Sequence, residues 1–161
     1  MRLVIIHYHL ERGGVTQVIN NHIRALSKNQ AHGIDDVLVL HGGRNSSWPN
    51  SESLTQFPFT VRERTVRTLE YDAAHRITSL EDCQAELNKV ICEESLTADE
   101  AIFHIHNHSL GKNAAFTHAV SFIAECGFPC LLQIHDFAED FRPENYDHLT
   151  QFSEQHKHCT G

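Results

Sequence analysis

Residues 2–15 read RLVIIHYHLERGGV, and this stretch decides the fold. The apolar run at 3–6 predicts a buried strand, and from residue 15 onwards a spacing of three and four predicts one face of a helix. That face comprises Val15, Val18, Ile19, His22, Ile23 and Leu26. Between the two elements, Gly13 and Gly14 would let a phosphate approach the helix start, where free N–H groups and the helix dipole favour an anion. A plain turn that needs glycine for its backbone angles is the alternative, and this stretch leaves both open.

The rest of the chain repeats the alternation of strands and helices. Apolar runs predict three further buried strands at 35–40, 101–106 and 129–135. Helical patterns lie at 79–96, with Ser79 as N-cap, at 113–126, and from Pro143 to the chain end. The charged segment 57–71 predicts weak strand or coil. This order predicts an α/β fold, a Rossmann-like doubly wound parallel sheet with helices on both faces.

Composition excludes several classes of function. The 161 residues suit one domain, and the net charge of −8 argues against nucleic-acid binding. No segment has the length of a membrane span or the core of a signal peptide. Five cysteines, an odd number without a C-x-x-C pair, indicate buried free thiols in a reducing cytoplasm.

Histidines mark the predicted strand ends, and the chain has fourteen of them. They stand with other polar residues after three strands, as His7 and His9, then His104, His106, Asn107 and His108, then His135 and Asp136. Since ligands of open parallel sheets bind beyond the carboxyl ends of the strands, these side chains are expected to line one crevice. Imidazoles there can bond sugar hydroxyls, transfer protons or bind metal.

Several ligand classes compete for this crevice. The His-x-His pairs are typical of barrel-type metal hydrolases, but that fold needs about 250 residues and carboxylate ligands, for which Asp136 is the main candidate. A dinucleotide site is disfavoured because Gly13–Gly14 lacks the G-x-G-x-x-G spacing. Gly111–Lys112 precedes a helix that could bind phosphate or hydroxyl groups. A non-catalytic α/β binding module remains a further alternative.

Three segments together resemble one enzyme family. LERGGVTQVI at 10–19 is similar to the glycine-glycine turn that opens the N-terminal domain of family-4 GT-B glycosyltransferases. HIHNHSLGKN at 104–113 and LLQIHDFAEDFRPENY at 131–146 resemble later strands and loops of that domain. The resemblance covers nearly the whole chain in order and spacing. It implies retaining transfer of a sugar from a nucleotide sugar to an acceptor, in a cleft between two Rossmann-like domains.

The resemblance also implies roles for single residues. Gly13 and Gly14 would contact the donor diphosphate, and His135 would be the catalytic residue facing the transferred sugar. The residues expected on the acceptor side are His106, Asn107, His108, Lys112 and Asp136. The nucleotide sugar is a substrate in this scheme, and neither a cofactor nor a metal is expected. The acceptor, whether glycan, lipid or small molecule, stays undetermined, and the segment 57–71 is a candidate for selecting it.

The chain departs from the family in one respect. The E-x7-E motif of the nucleotide-binding domain has one counterpart in spacing, Glu86 and Glu94, but both fall within the amphipathic helix predicted before the third apolar strand and are interpreted as a chance match. Residues 1–161 are therefore expected to be the N-terminal domain, incomplete at its C-terminal end and inactive without a C-terminal domain on this or another chain. The expected location is the cytoplasm, with attachment to the inner face of the membrane as an alternative. An exposed domain face would favour homo-oligomers.

Overall fold

A parallel five-stranded sheet forms the centre of the computed structural model, which describes residues 1–29, 33–49 and 51–156. The strands are β1 Arg2–Ile6, β2 Asp36–His41, β3 Thr60–Thr65, β4 Ala101–His106 and β5 Cys130–Gln133. Their order is β3-β2-β1-β4-β5, and all four pairings are parallel. This sheet confirms the predicted Rossmann-like α/β architecture.

Helices cover both faces of this sheet. They are α1 Gly14–Lys28, α2 Ser51–Leu54, α3 Leu80–Glu93, α4 Ala114–Glu125 and α5 Pro143–His156, with 3₁₀ turns at Arg67–Leu69 and His108–Leu110. Ser79 caps α3 as predicted, because its hydroxyl accepts a hydrogen bond from the Asp82 N–H at 3.1 Å. The prediction that the last helix reaches the chain end falls partly on residues 157–161, outside the described residues. No helix of the described chain is long and apolar enough to cross a membrane.

The two faces of the sheet carry separate apolar layers. On one face, Ile5 and Val39 pack with Ile19 and Ile23 of α1. On the other face, side chains of β1, β2 and β4 pack with α3, α4 and Phe152 of α5. Because helices cover both faces, the apolar residues of β1 are buried throughout, which explains why this strand is a continuous apolar run.

Two strands differ from their predictions. The weak segment 57–71 contains the edge strand β3, whose Arg62 forms ion pairs with Asp36 and Glu94, so its charges lie at the rim of the sheet. Strand β5 ends at Gln133 and not at residue 135. The predicted strand does not continue to residue 135 because the Asn107 side-chain oxygen, and not a neighbouring strand, accepts hydrogen bonds from the N–H groups of His135 and Asp136, at 3.1 and 2.9 Å.

The prediction that the cysteines are buried is wrong for two of them. Cys83 is buried in the core, whereas Cys92 and Cys126 are exposed because they lie on the outer sides of α3 and of the end of α4. Cys130 is half-buried, and Cys159 lies outside the described residues.

Candidate functional site

Imidazoles from the ends of β1, β4 and β5 meet at one edge of the sheet. The ring centroids of His7 and His106 are 6.4 Å apart, and those of His106 and His135 are 5.4 Å apart with nearly parallel planes. His106 Nδ1 lies 3.1 Å from His135 Nε2. His9 extends the group, with its ring centroid 5.3 Å from that of His7. The three strand ends that were expected to meet therefore do bring these histidine rings together, while the ligand-binding crevice that they would line stays a prediction.

Asn107 holds the segment that carries His135. Its backbone has φ 60°, a left-handed conformation that asparagine tolerates better than most residues. Its side-chain oxygen accepts hydrogen bonds from the N–H groups of His135 and Asp136, and its amide donates to the Asp136 carboxylate at 3.3 Å. One side chain thus fixes where the chain leaves β5.

Asp136 is ionised and paired. Arg142 donates a hydrogen bond to its carboxylate at 2.9 Å, and this contact is the main reason why the pKa of Asp136 lies below its usual value. The bond from Asn107 acts in the same direction. A carboxylate held in this way can accept a hydrogen bond from a substrate hydroxyl.

Burial separates the predicted catalytic and acceptor-side residues into two groups. His106 and Asn107 are almost fully buried, at 0% and 2% exposure. His135 and Lys112 are exposed, and His108 is half-buried. The geometry therefore favours a positioning role for His106 and Asn107, with His135 as the side chain that a substrate can reach.

The buried imidazoles are neutral at physiological pH. Burial lowers the pKa of His7 to about 3, with His9 adding to the effect. Burial also lowers the pKa of His106 to about 2, and the neighbouring His104 and His7 contribute. The charged form is disfavoured because these rings have lost water without gaining a carboxylate partner. They act here as neutral hydrogen-bonding groups.

The glycine pair is open to solvent at the start of α1. Gly13 has φ 178°, an extended conformation that any residue can adopt. A side chain at Gly14 would also have space, because a Cβ placed there meets no other part of the protein within 4 Å. The backbone therefore does not require glycine here, which removes the main argument for a plain turn. No side chain caps this helix and no acidic residue lies in its first turn. Gly14 lies about 12 Å along α1 from His22, whose ring contacts the imidazole group.

Lys112 lies apart from the imidazole group. It lines a cavity of about 250 Å³ together with Asp72 and His148. The start of α4 beside it is already satisfied, because the Asp72 carboxylate accepts from Ala114 N–H and Asn113 caps Phe116 N–H. This helix start is therefore less suited to an anion than the start of α1.

Other predicted features lie further from the site. A cavity of about 970 Å³ beside β3 is lined by the first part of segment 57–71 and contains none of the predicted site residues. The other end of that segment reaches the site, because Tyr71 Oη lies 3.2 Å from His9 Nε2. Glu86 binds Thr68, and Glu94 pairs with Arg62 and Arg64, so both glutamates serve structural contacts.

Two residues beside the imidazole group, His22 and Arg44, were not expected there from the sequence. His22 stacks on His104 with ring centroids 5.4 Å apart, and the helical spacing had placed it on the inward face of α1 without a role. Arg44 lies 5.0 Å above the Tyr71 ring and also binds Glu70. The helical spacing of His22 was the one feature of the sequence that could have indicated its place at the site, and no pattern indicated Arg44.

One curated protein supports a relation to sugar-transferring enzymes. The chain is 33% identical over 162 aligned residues to mannosylglucosyl-3-phosphoglycerate synthase of Petrotoga mobilis. The alignment covers 93% of the chain but only 28% of that protein, so the chain spans less than a third of the length of its relative. No protein-family model and no solved structure matches the chain. The chain is thus a distant homologue of part of a glycosyltransferase.

Proposed function

We propose that the chain is the acceptor-side N-terminal domain of a retaining glycosyltransferase of the family-4 GT-B type. The observation that carries this proposal is the alignment of nearly the whole chain with part of the Petrotoga mobilis synthase. The parallel sheet and the polar groups at its carboxyl edge agree with it. In the reaction, the bond between the sugar and the nucleoside diphosphate breaks, and a glycosidic bond to an acceptor hydroxyl forms. The nucleotide sugar is a substrate, and we assign no cofactor to the transfer.

The proposed roles follow the accessibility of each group. The diphosphate would lie at the uncapped start of α1, against Gly13 and Gly14, where peptide N–H groups and the helix dipole stabilise negative charge. His135, which is exposed, would hydrogen-bond the transferred sugar. Asp136 and His108 would contact the acceptor, while His106 and Asn107 hold His135 in place.

The acceptor that we propose is a phosphorylated sugar derivative of glycerate. The name of the relative describes the synthesis of mannosylglucosyl-3-phosphoglycerate, so glucosyl-3-phosphoglycerate is the compound to test, with a nucleoside-diphosphate mannose as donor. Both substrates are anionic and water-soluble, which agrees with the proposed cytoplasmic location.

The 161-residue chain alone is expected to show no measurable transfer. The two-domain scheme places most of the donor's binding energy in a nucleotide-binding domain, and the E-x7-E spacing of this chain serves structural contacts instead. Incubation with nucleotide sugars and glucosyl-3-phosphoglycerate, followed by mass spectrometry, measures the product. Turnover of any nucleotide sugar by the chain alone would contradict this prediction.

A chimera tests the transferase proposal directly. In it, this chain replaces the aligned segment of the Petrotoga mobilis synthase, and the parent enzyme is the positive control. We expect the chimera to synthesise mannosylglucosyl-3-phosphoglycerate. A folded chimera that binds glucosyl-3-phosphoglycerate without turnover would support the binding module instead, and one that neither binds nor reacts would refute the proposal.

Within an active chimera, Gly14→Val is expected to lower the transfer rate roughly 100-fold, the typical loss when charge-stabilising donors are displaced. The new side chain would occupy the open space at the helix start while the free energy of unfolding changes by less than about 1 kcal/mol. Gln17→Val, which adds the same side chain at an exposed position one turn later, is the matched control and should retain the rate. Equal transfer rates for both variants would contradict the proposal that the donor diphosphate binds at this position.

A further inference from the structure

We propose that His22, His104 and His106 form a binding site for a divalent transition-metal ion, with Zn²⁺ as the best-matched ion. The site lies between α1 and the sheet, on the face opposite α3 and α4. It stands independently of the transferase proposal, because neither the alignment nor the glycine turn bears on it. It also departs from the sequence-based expectation that the chain binds no metal.

The three imidazole rings lie close to one another in the fold. His104 and His106 are two residues apart on β4, so their side chains lie on the same face, and their ring centroids are 4.2 Å apart. His22 reaches them from α1, with its ring centroid 5.4 and 6.0 Å from theirs. One ring nitrogen of each lies within 4.8 Å of those of the others. Tetrahedral zinc needs about 3.4 Å between nitrogens, so a shift of about 1 Å, which the half-buried His22 can supply, closes the site.

The hydrogen bonds of the two strand histidines suit metal ligation. His106 Nε2 is buried and has no hydrogen-bond partner among the described residues, while its Nδ1 faces His135 Nε2. His104 Nε2 lies 2.9 Å from the Gln133 side-chain oxygen and can donate to it. Metal-bound histidines usually engage their second nitrogen in such a contact, which fixes the ring and its tautomer. An ion on His106 would therefore also fix the ring on which His135 stacks.

The ligand set selects the kind of ion. Three imidazole nitrogens without a carboxylate suit zinc, copper or nickel better than magnesium or calcium, which prefer oxygen. Three ligands leave a fourth position for water.

The test is calorimetric titration of Zn²⁺ into the metal-stripped 161-residue chain. We expect one site per chain and a thermal midpoint that rises with zinc, because an ion that binds only the folded state stabilises it. His22→Ala is expected to weaken binding at least about tenfold. His22 is half-buried on a helix, so its loss leaves the sheet intact, and far-UV circular dichroism checks this. The visible spectrum with Co²⁺ should show tetrahedral coordination.

The matched control is His118→Ala, because His118 belongs to a separate group of rings with Phe152 and His156. It should leave the affinity and the Co²⁺ spectrum unchanged. Binding of equal strength in wild type and His22→Ala would overturn the proposal, as would several weak sites per chain or an octahedral Co²⁺ spectrum.

Discussion

Acidification from pH 7 to pH 5 is expected to lower the free energy of unfolding by about 4 kcal/mol, about 2 kcal/mol from each of two histidines. In the folded chain the pKa of His7 is about 3 and that of His106 about 2, against 6.5 as the ordinary value. The unfolded chain therefore takes up protons below pH 6.5 while the folded chain does not. This part of the stability is present in full above pH 6.5 and is lost as the pH falls, at about 1.4 kcal/mol per pH unit for each group.

Urea unfolding at intervals between pH 7 and pH 5 measures this loss. His7→Gln should remove about 2 kcal/mol of the pH dependence, even if it lowers the stability at pH 7. His75→Gln, which removes an exposed imidazole, is the control and should keep the full dependence. Burial also lowers the pKa of His9, His104 and His108, so their contributions have the same sign. A constant free energy of unfolding over this range would contradict the prediction.

Phe116→Ala is expected to lower the free energy of unfolding by about 3–5 kcal/mol. Phe116 is fully buried at the start of α4, and its ring meets that of Tyr8 edge-on with centroids 5.4 Å apart. Tyr8 itself follows β1, so this pair joins the helix to the strand end that carries His7. Removing the ring leaves a cavity that the parallel sheet and α4 cannot close completely, and the lost contacts add to the lost burial.

The same substitution at Phe141 is the matched control. Phe141 is 100% exposed, so Phe141→Ala should change the free energy of unfolding by less than about 0.5 kcal/mol. Guanidinium unfolding of both variants, with the slope m compared to that of the wild type, separates a true loss of stability from a change in the unfolded state. Similar losses for the two variants would show that Phe116 does not pack as described.

The fold could be predicted because its signals are local. The run at 3–6, the exact bounds of β4 and the Ser79 cap follow from apolar spacing and from a side chain that accepts a hydrogen bond from a nearby N–H group. The end of strand β5 could not be predicted, because the Asn107 side chain that binds the backbone beyond it is more than twenty residues away in sequence. Edge strand β3 was weak in the sequence because its charges pair across strands and helices.

For the site, the sequence could predict only which strand ends, and so which histidines, lie near one another. Parallel strands bring their carboxyl ends to one edge, so His7, His106 and His135 were expected together. Their burial could not be read from the sequence, because it depends on how α1 and the loops pack over the sheet. For the same reason, His22 was found only in the structure, and Lys112 proved to lie at a separate cavity.

The strand order has a consequence for how the crevice comes into being. Strand β1 pairs on one side with β2, which follows after one helix, and on the other side with β4, where Arg2 lies beside Ala101. Pairing β1 with β4 closes a loop of about 100 residues, which costs more chain entropy than pairing β1 with β2 across α1. The contacts between β1 and β4 are therefore expected to form later. We therefore expect His7 and His106 to become neighbours late in folding, after the first strand, helix and second strand have begun to form the sheet.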